Sequence, residues 1–547
     1  MIALLPLDML FLQYKQLLDD EEREATQYTL ETMWNFFYFT AFFLCWIIYP
    51  FLCEFVSTGD FTFMGRLKTG FKNFLFYYSI AIVFFIIFLI YLWTQHAFNS
   101  SSFLGFIIAL SNAWGLFQII IFLGYGIVSV PEQCFKHANI EKLYKYQMFK
   151  ISHYERNYER AIVNMDELAR DALTLKFYTT RAEIQHYLQI VIDNCPLETL
   201  SYVEARDNID LVKLDYAKGD IDSLTYLNRD CKWANLELIR REVSYEQELE
   251  YAFYIEDLYK NQSSHDYLIH SRLFRLRDQN KCMGRCRDKT YFFLHIKLIP
   301  KIFYILALIA LAFSIQILVG EMIILLDIKY TVITSIIPDS IVTQILTNIY
   351  TVILLFYLSF CIYYGCFNVK FSSVYELHPK KQTDSFSLLY SANILTRLAT
   401  PLCINFLKII HFEGTIFSNL IGAMDPIPII GKEFQNFFPV TLLIVIIFNY
   451  FNVWSKLMYN IGFDEYTFSE VYNEELVPDG EQLSKIERTQ REDEILKYHR
   501  DKEERGHRVK YGYLYTSKFF IDNPQKKPKS GMVRIRYEDM DKYSPND

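Results

Sequence analysis

Two kinds of text alternate along this chain. Stretches of roughly 20 residues, the length a helix needs to cross a bilayer's hydrocarbon core, carry almost no charge. The segments between them and the C-terminal tail hold nearly all the Lys, Arg, Asp and Glu. A soluble core helix rarely needs so many uncharged residues in succession. Seven such stretches are readable: Met33 to Phe55, Phe74 to Trp93, Phe103 to Val130, Ile302 to Val319, Ile345 to Phe367, Phe386 to Ile410 and Phe437 to Tyr459. A bilayer offers no water to backbone N–H and C=O groups, so each should be a helix. The expected fold class is all-α: a polytopic helical membrane protein with a cytoplasmic helical insert built as a coiled-coil hairpin. Trp34, Trp46, Trp93 and Trp454 fall towards span ends, where interfacial aromatics sit.

Orientation follows from the loops. Arg66, Lys68 and Lys72 lie between the first two spans, and Lys370, Lys380 and Lys381 between the fifth and sixth. The alternate loops are nearly free of base: Thr94 to Ser102 has none, Glu321 to Ile341 only Lys329, His411 to Gln435 only Lys432. Positive charge is retained on the cytoplasmic side. The expected organisation is therefore an outside stub over 1–31, three transmembrane helices over 32–130, a cytoplasmic helical insert over 131–301, four transmembrane helices over 302–460 and a charged, partly disordered cytoplasmic tail over 461–547. No cysteine falls in an outside loop, so a disulfide framework is not expected. The balance of 55 basic and 63 acidic residues, net −8, provides no basic field for nucleic acid.

In the insert, Ile151, Tyr154, Tyr158, Ile162 and Met165 recur at steps of three and four, one stripe of a helix. A second stripe runs through Ile239, Val243, Ala252, Ile255 and Tyr259. The two helices are expected to pair antiparallel, closed around Pro196, with either internal packing or a surface for cytoplasmic protein partners as the outcome. Arg272, Arg275, Arg277, Lys281, Arg285, Arg287 and Lys289 precede the fourth span and would attract anionic lipid headgroups. Cys282 and Cys286 resemble half a zinc site with nothing nearby to complete it, so no metal is expected. With Cys134 they are juxtamembrane candidates for lipidation. In the tail, Glu481 to Glu504 reads as an exposed charged helix.

The sixth span is unlike a simple anchor. It carries Asn393, Thr396, Arg397, Thr400, Pro401 and Asn405. An arginine near mid-span costs at least about 2.5 kcal/mol unless paired or hydrated. Asp384, just before the span, and carbonyls freed near Pro401 are its candidate partners. A structural contact and a ligand or ion path are both open, with Asp384, Asn393, Arg397 and Asn405 as the candidate polar site. Gly105, Ala109 and Ala113, four apart, form a small-residue stripe suited to close helix packing.

Several stretches also carry a family resemblance: LPLD at Leu5 to Asp8, STGDFTFMGRLKTG at Ser57 to Gly70, WGLFQIIIFLGYGIVSVP at Trp114 to Pro131, AFYIEDLYKN at Ala252 to Asn261, and QTDSFSLLYSANILTRLATPLCINFL at Gln382 to Leu407. In this order they resemble the limb-region (LMBR-type) membrane proteins, the family of lipocalin-interacting membrane receptors, over nearly the whole chain up to the seventh span. In that family nine spans are usual and LPLD closes the second. The resemblance thus implies that this chain lacks the first span and most of the second, with residues 1–18 as a remnant. It brings no catalytic residue with it. It singles out Gln382, Thr383, Pro401, Trp114, Gly124 and Gly126 as motif positions of unknown role, beside Asp384, Arg397 and Asn405. Members are linked to ligand uptake, to lysosomal export of a vitamin cofactor and to regulation of receptor signalling; the branch most resembled is associated with the last.

Three functions compete. A receptor or regulator of receptor signalling is favoured by the insert and by that branch, a small-molecule transporter or cofactor exporter by the polar sixth span. A seven-helix G-protein-coupled receptor is allowed by the count but opposed by the large insert. The chain has no Walker A loop, no dinucleotide GxGxxG, no HExxH and no nucleophile elbow. Neither an enzyme nor a cofactor is expected. The plasma membrane is the expected location, with an endosomal or lysosomal membrane as the alternative.

Overall fold

A computed structural model of the chain describes residues 1–94, 103–201, 220–271, 288–326, 341–369, 377–422, 432–453 and 474–504, apart from a few positions inside those ranges, together with Leu273, Lys456 and Tyr472. Every regular element among them is helical: α1 Leu5–Tyr14, α2 Asp20–Ser57, α3 Phe63–Thr94, α4 Phe103–Ala138, α5 Ile140–Tyr178, α6 Ala182–Asp193, α7 Ile221–Asn261, α8 Ile299–Leu325, α9 Ile341–Asn368, α10 Ser385–Ile409, α11 Ile416–Gly422, α12 Lys432–Tyr450 and α13 Val477–Glu504. Helices stand at all seven positions read as spans. Four stretches among the described residues are long and apolar enough to cross a bilayer: Asp20–Ser57, Leu110–Ala138, Asp288–Ile324 and Ile345–Asn368. The protein is an all-α polytopic membrane protein. The basic cluster from Arg272 to Arg287, Cys282, Cys286, Trp454 and the tail beyond Glu504 lie outside the described residues.

The chain divides into two compact units. The first comprises Met1–His137, His153–Gln247 and Phe303–Asn473. Its membrane-helix core gathers Ile119, Leu123 and Ile127 of α4, Leu354, Leu358 and Cys361 of α9, and Leu398, Leu402 and Phe406 of α10. Helices α4 and α9 touch backbone to backbone. A Cβ added to Gly126 would fall on the Cys361 carbonyl, and one added to Gly365 on the Phe122 carbonyl. The contact is reciprocal, and small residues are what allow such an approach where no hydrophobic force separates lipid from protein. Gly124, two residues earlier, faces Val445 of α12, whose Cγ1 would lie 2.7 Å from an added Cβ. The two glycines thus seat α4 against two different neighbours.

The N-terminal residues are not an appendage of this unit. Leu4, Leu5 and Met9 join its core with Leu30, Trp34, Ile410 and Phe417. LPLD places Leu5 and Asp8 three apart, on one side of a helical turn.

The same unit contains a second core, in which Met165, Leu168, Ala169 and Ala172 of α5 meet Ile184, Leu188, Val191 and Ile192 of α6 and Leu224, Leu227, Cys231 and Ala234 of α7. Three helices share it, so the pairing of α5 with α7 here is a bundle rather than a two-stranded coil. Tyr158 stacks on Tyr245 at 6.1 Å. Asn228 donates to the Gly59 carbonyl at 2.6 Å and Phe61 lies on Tyr187 at 4.6 Å, tying the loop before α3 to this bundle.

The second unit comprises Ala138–Ser152, Glu248–Ile302 and the chain from Glu474. Ile140 and Leu143 pack with Ile255, Leu258, Phe292 and Ile296. Tyr144 stacks on Tyr259 at 4.7 Å, and Gln147 and Lys150 bond Glu248 at 2.7 and 2.9 Å. The expected second stripe is partly corrected. Ala252 and Ile255 are buried but Tyr259 is exposed, while Leu249 and Phe253, outside the stripe, are in the core. The charged helix expected over Glu481 to Glu504 is largely exposed, but one face is seated: Gly480 and Ser484 of α13 are buried, held by polar groups rather than an apolar stripe.

Candidate functional site

Helix α10 positions the polar residues singled out in the sequence. From Asp384 to Asn405 it rises roughly 30 Å at 1.5 Å per residue, about one bilayer core. At its start Asp384 is the N-cap, its Oδ2 accepting from Phe386 N at 3.1 Å and Ser387 N at 3.3 Å. Its Oδ1 pairs with Arg240, only 1% exposed, which also lies 3.8 Å from Glu237. One carboxylate therefore both closes a helix end and neutralises a buried guanidinium. Thr383 accepts from His378 N at 3.0 Å and donates back to its carbonyl at 2.9 Å, clasping the turn that enters α10. Gln382 beside it is half-buried.

Arg397, the mid-span charge, does not use Asp384. Its partners come from a defect in α2. Residues Leu44–Ile48 form a π turn in which the Tyr49 N–H reaches back five residues to the Leu44 carbonyl. The Cys45 carbonyl thereby loses its usual donor. Pro50 has no N–H, so the Trp46 carbonyl loses its own. Side chains fill both places: Arg397 Nη2 donates to the Cys45 carbonyl at 3.2 Å, and the Tyr78 hydroxyl donates to the Trp46 carbonyl. The Arg397 guanidinium also lies 4.8 Å from the centre of the Trp46 ring, which is pinned by its own N–H to Ser111 Oγ at 2.7 Å. Neutral acceptors and an aromatic face thus hold this charge, and no ion pair among the described residues includes it. Arg397→Lys is expected to lower the unfolding free energy by about 1 kcal/mol, because an ammonium forfeits the planar stack on Trp46. Thermal unfolding with tryptophan fluorescence checks this, and an unchanged midpoint would count against the stack.

One turn on, Pro401 leaves the Arg397 carbonyl without its helical donor. Gly115 of α4 closes on that spot, since an added Cβ would strike the Pro401 ring and lie 3.4 Å from the Arg397 carbonyl. Trp114 beside it faces away from the core, stacked on Phe117 at 5.8 Å. Asn393 is buried, its amide oxygen without a hydrogen bond among the described residues. Near the far end, Asn405 Nδ2 donates to Glu321 Oε1 of α8 at 2.9 Å. Gly320 permits the approach, with Ile409 Cγ2 2.7 Å from where its Cβ would be.

Two participants were legible only as letters of a motif or not at all. Asp8 of LPLD is fully buried. Its carboxylate accepts from Trp34 Nε1 at 3.1 Å, Ile416 N at 3.1 Å and Phe417 N at 2.9 Å. Those two amides are first-turn donors of α11, which otherwise lack partners, so Asp8 caps a helix some 400 positions downstream. Glu321 ends a long uncharged run, and that isolation was its only signal. Cys134 is half-buried near the end of α4. No group of three or more His, Cys, Asp or Glu side chains suited to a metal occurs among the described residues.

Comparison with known proteins places this architecture. A family model described as LMBR1-like membrane protein matches residues 1–454. The chain belongs to the LMBR1-like membrane protein family. LMBR1 domain-containing protein 2 homolog A of Dictyostelium discoideum is 27% identical over 477 residues, 84% of this chain and 62% of that protein. G-protein coupled receptor-associated protein LMBRD2 of Gallus gallus is 26% identical over 498 residues, covering 86% of this chain and 72% of its own length. Its Homo sapiens counterpart is 26% identical over 492 residues, 84% and 69% of the two chains. No solved structure matches the chain. Every LMBR1 motif quoted from the sequence falls inside the matched residues, and the α10 motif from Gln382 to Leu407 carries four of the polar contacts just described.

Proposed function

We propose that this protein is a receptor-associated membrane protein without catalytic activity, acting at the plasma membrane by gathering cytoplasmic protein partners on its helical insert. The observation that carries the reading is the similarity, over more than four-fifths of the chain, to relatives named as G-protein coupled receptor-associated proteins. The geometry of α10 supports it. Asp384, Arg397 and Asn405 are spent on contacts between helices, as in a scaffold. Tagged full-length protein, isolated from cells in mild detergent, is expected to carry G-protein coupled receptors above the level of an unrelated polytopic control. Recovery of lysosomal neighbours alone would sink the proposal. The insert over 131–301 and the tail are placed on the cytoplasmic side, beside anionic headgroups. Labelling of Lys289 by an impermeant reagent on intact cells would overturn that placement. A transporter reading draws on Glu321, since a buried carboxylate in a span is expensive unless used. Solute flux in proteoliposomes, lost in Glu321→Gln, would favour it.

A further inference from the structure

The tail helix α13 is attached to the second unit by polar groups spaced one turn apart. Gly480, Ser484 and Arg488 stand at i, i+4 and i+8, one face of a helix. A Cβ on Gly480 would fall on the Met148 carbonyl, so the two backbones meet there. One turn on, the Ser484 hydroxyl donates to Glu256 Oε2 at 3.2 Å. A turn further, Arg488 Nη1 donates to the same carboxylate at 3.0 Å and Nη2 pairs with Asp257. Phe253 lies beneath, 5.9 Å from the Arg488 guanidinium and 5.5 Å from that of Arg491. The Tyr144 hydroxyl donates to Glu481 at 3.2 Å.

The two carboxylates are 4% exposed and Arg488 13%, so the node is largely dry. Desolvation works to raise the Glu256 carboxyl, but Lys260 and Arg488 outweigh it and hold the group below its ordinary range. The apolar side chains of α13 stay out of the unit's apolar core by contrast: Val477 and Leu483 are half-buried, and Ile486 is 44% and Leu496 58% exposed. Apolar burial at about 25 cal/mol per Å² is the usual glue between helices, and this helix leaves the last two unused. Its docking rests on shape and polar contacts at Gly480, Glu481, Ser484, Arg488 and Arg491.

We propose that Tyr144, Met148, Phe253, Glu256 and Asp257 form a recognition groove for a helix of a partner protein that presents a small residue and, two turns later, an arginine, with α13 as the resident occupant until that partner arrives. Charge complementarity argues for this occupant, since two nearly dry carboxylates demand a guanidinium. The groove, including Ala252 to Asn261, lies inside the family-matched residues, whereas α13 lies beyond them. The assignment rests on the receptor-association reading for there being a partner; the competition for the groove does not.

The test uses full-length protein in lipid nanodiscs and a fluorescent synthetic peptide with the sequence of residues 477–504. A tethered helix acts at an effective concentration of order mM, so the wild type should bind the free peptide poorly. Arg488→Glu, which repels α13 from the groove, should bind it at least tenfold more tightly, and adding Glu256→Lys with Asp257→Lys should remove that binding. Ser484→Glu, placing an anion against Glu256, serves as a second opener should Arg488→Glu fold poorly. In the wild type, excess peptide should raise hydrogen exchange across 477–504. Equal affinity for wild type and opener, or no binding by an opener that unfolds at the wild-type temperature, would overturn the groove. Receptor co-purification from the same preparations separates the two readings. A receptor that still co-purifies while peptide competition is absent removes the groove alone. Competition without any receptor leaves the groove and removes the receptor.

Discussion

Gly126→Ala is expected to cost about 3 kcal/mol or more, at or beyond the top of the usual range for overpacking, and to remove most of the monodisperse protein recovered in detergent. The added methyl would occupy the Cys361 carbonyl, which belongs to a helix and cannot step aside as a side chain can. Helices α4 and α9 would have to separate, and the reciprocal seat of Gly365 on Phe122 would open with them. Gly124→Ala is the internal control. Its obstacle is the Val445 side chain, so about 1 kcal/mol is expected. Size-exclusion recovery after graded heating reads both. Indistinguishable behaviour of the two variants would mean that the α4–α9 approach does not limit stability.

The second large effect is expected at the start of α10. Arg240→Ala strands the buried Asp384 carboxylate, and losing one member of such a pair typically costs about 3–5 kcal/mol. Asp384→Asn removes the same charge while keeping a good N-cap, so it should cost nearly as much through the stranded guanidinium. The double variant should lose clearly less than the sum of the two, and the difference is the coupling energy of the pair. Additive losses would show that Arg240 is held by Glu237 instead, 3.8 Å away.

The spans were legible because bilayer thickness imposes a length and an absence of charge that any reader can count. Pairing was less so. Arg397 stands out in the sequence as an unaffordable charge, but its partners are carbonyl groups, which every residue has and no letter marks. Only Pro50, one place beyond the residue that closes the π turn, hinted that α2 had donors missing. The seated face of the tail helix was missed for a related reason. Its attached face is Gly, Ser and Arg, and apolar periodicity is blind to such a stripe. Asp8 was visible as a motif letter, but its work on Ile416 and Phe417 depends on a contact between the two ends of the family-matched region.

The extra residue wound into α2 at Leu44–Ile48 also restricts how this chain can vary in length. Deleting one position there would let the segment relax to regular winding with the helix after it kept in register, because the wide turn is what absorbs the extra residue. One of the two freed carbonyls would then recover a backbone donor, and Arg397 or Tyr78 would lose its acceptor. Insertions and deletions in neighbouring loops leave that register untouched, so the first span should tolerate changes of sequence far better than a change of one in its residue count.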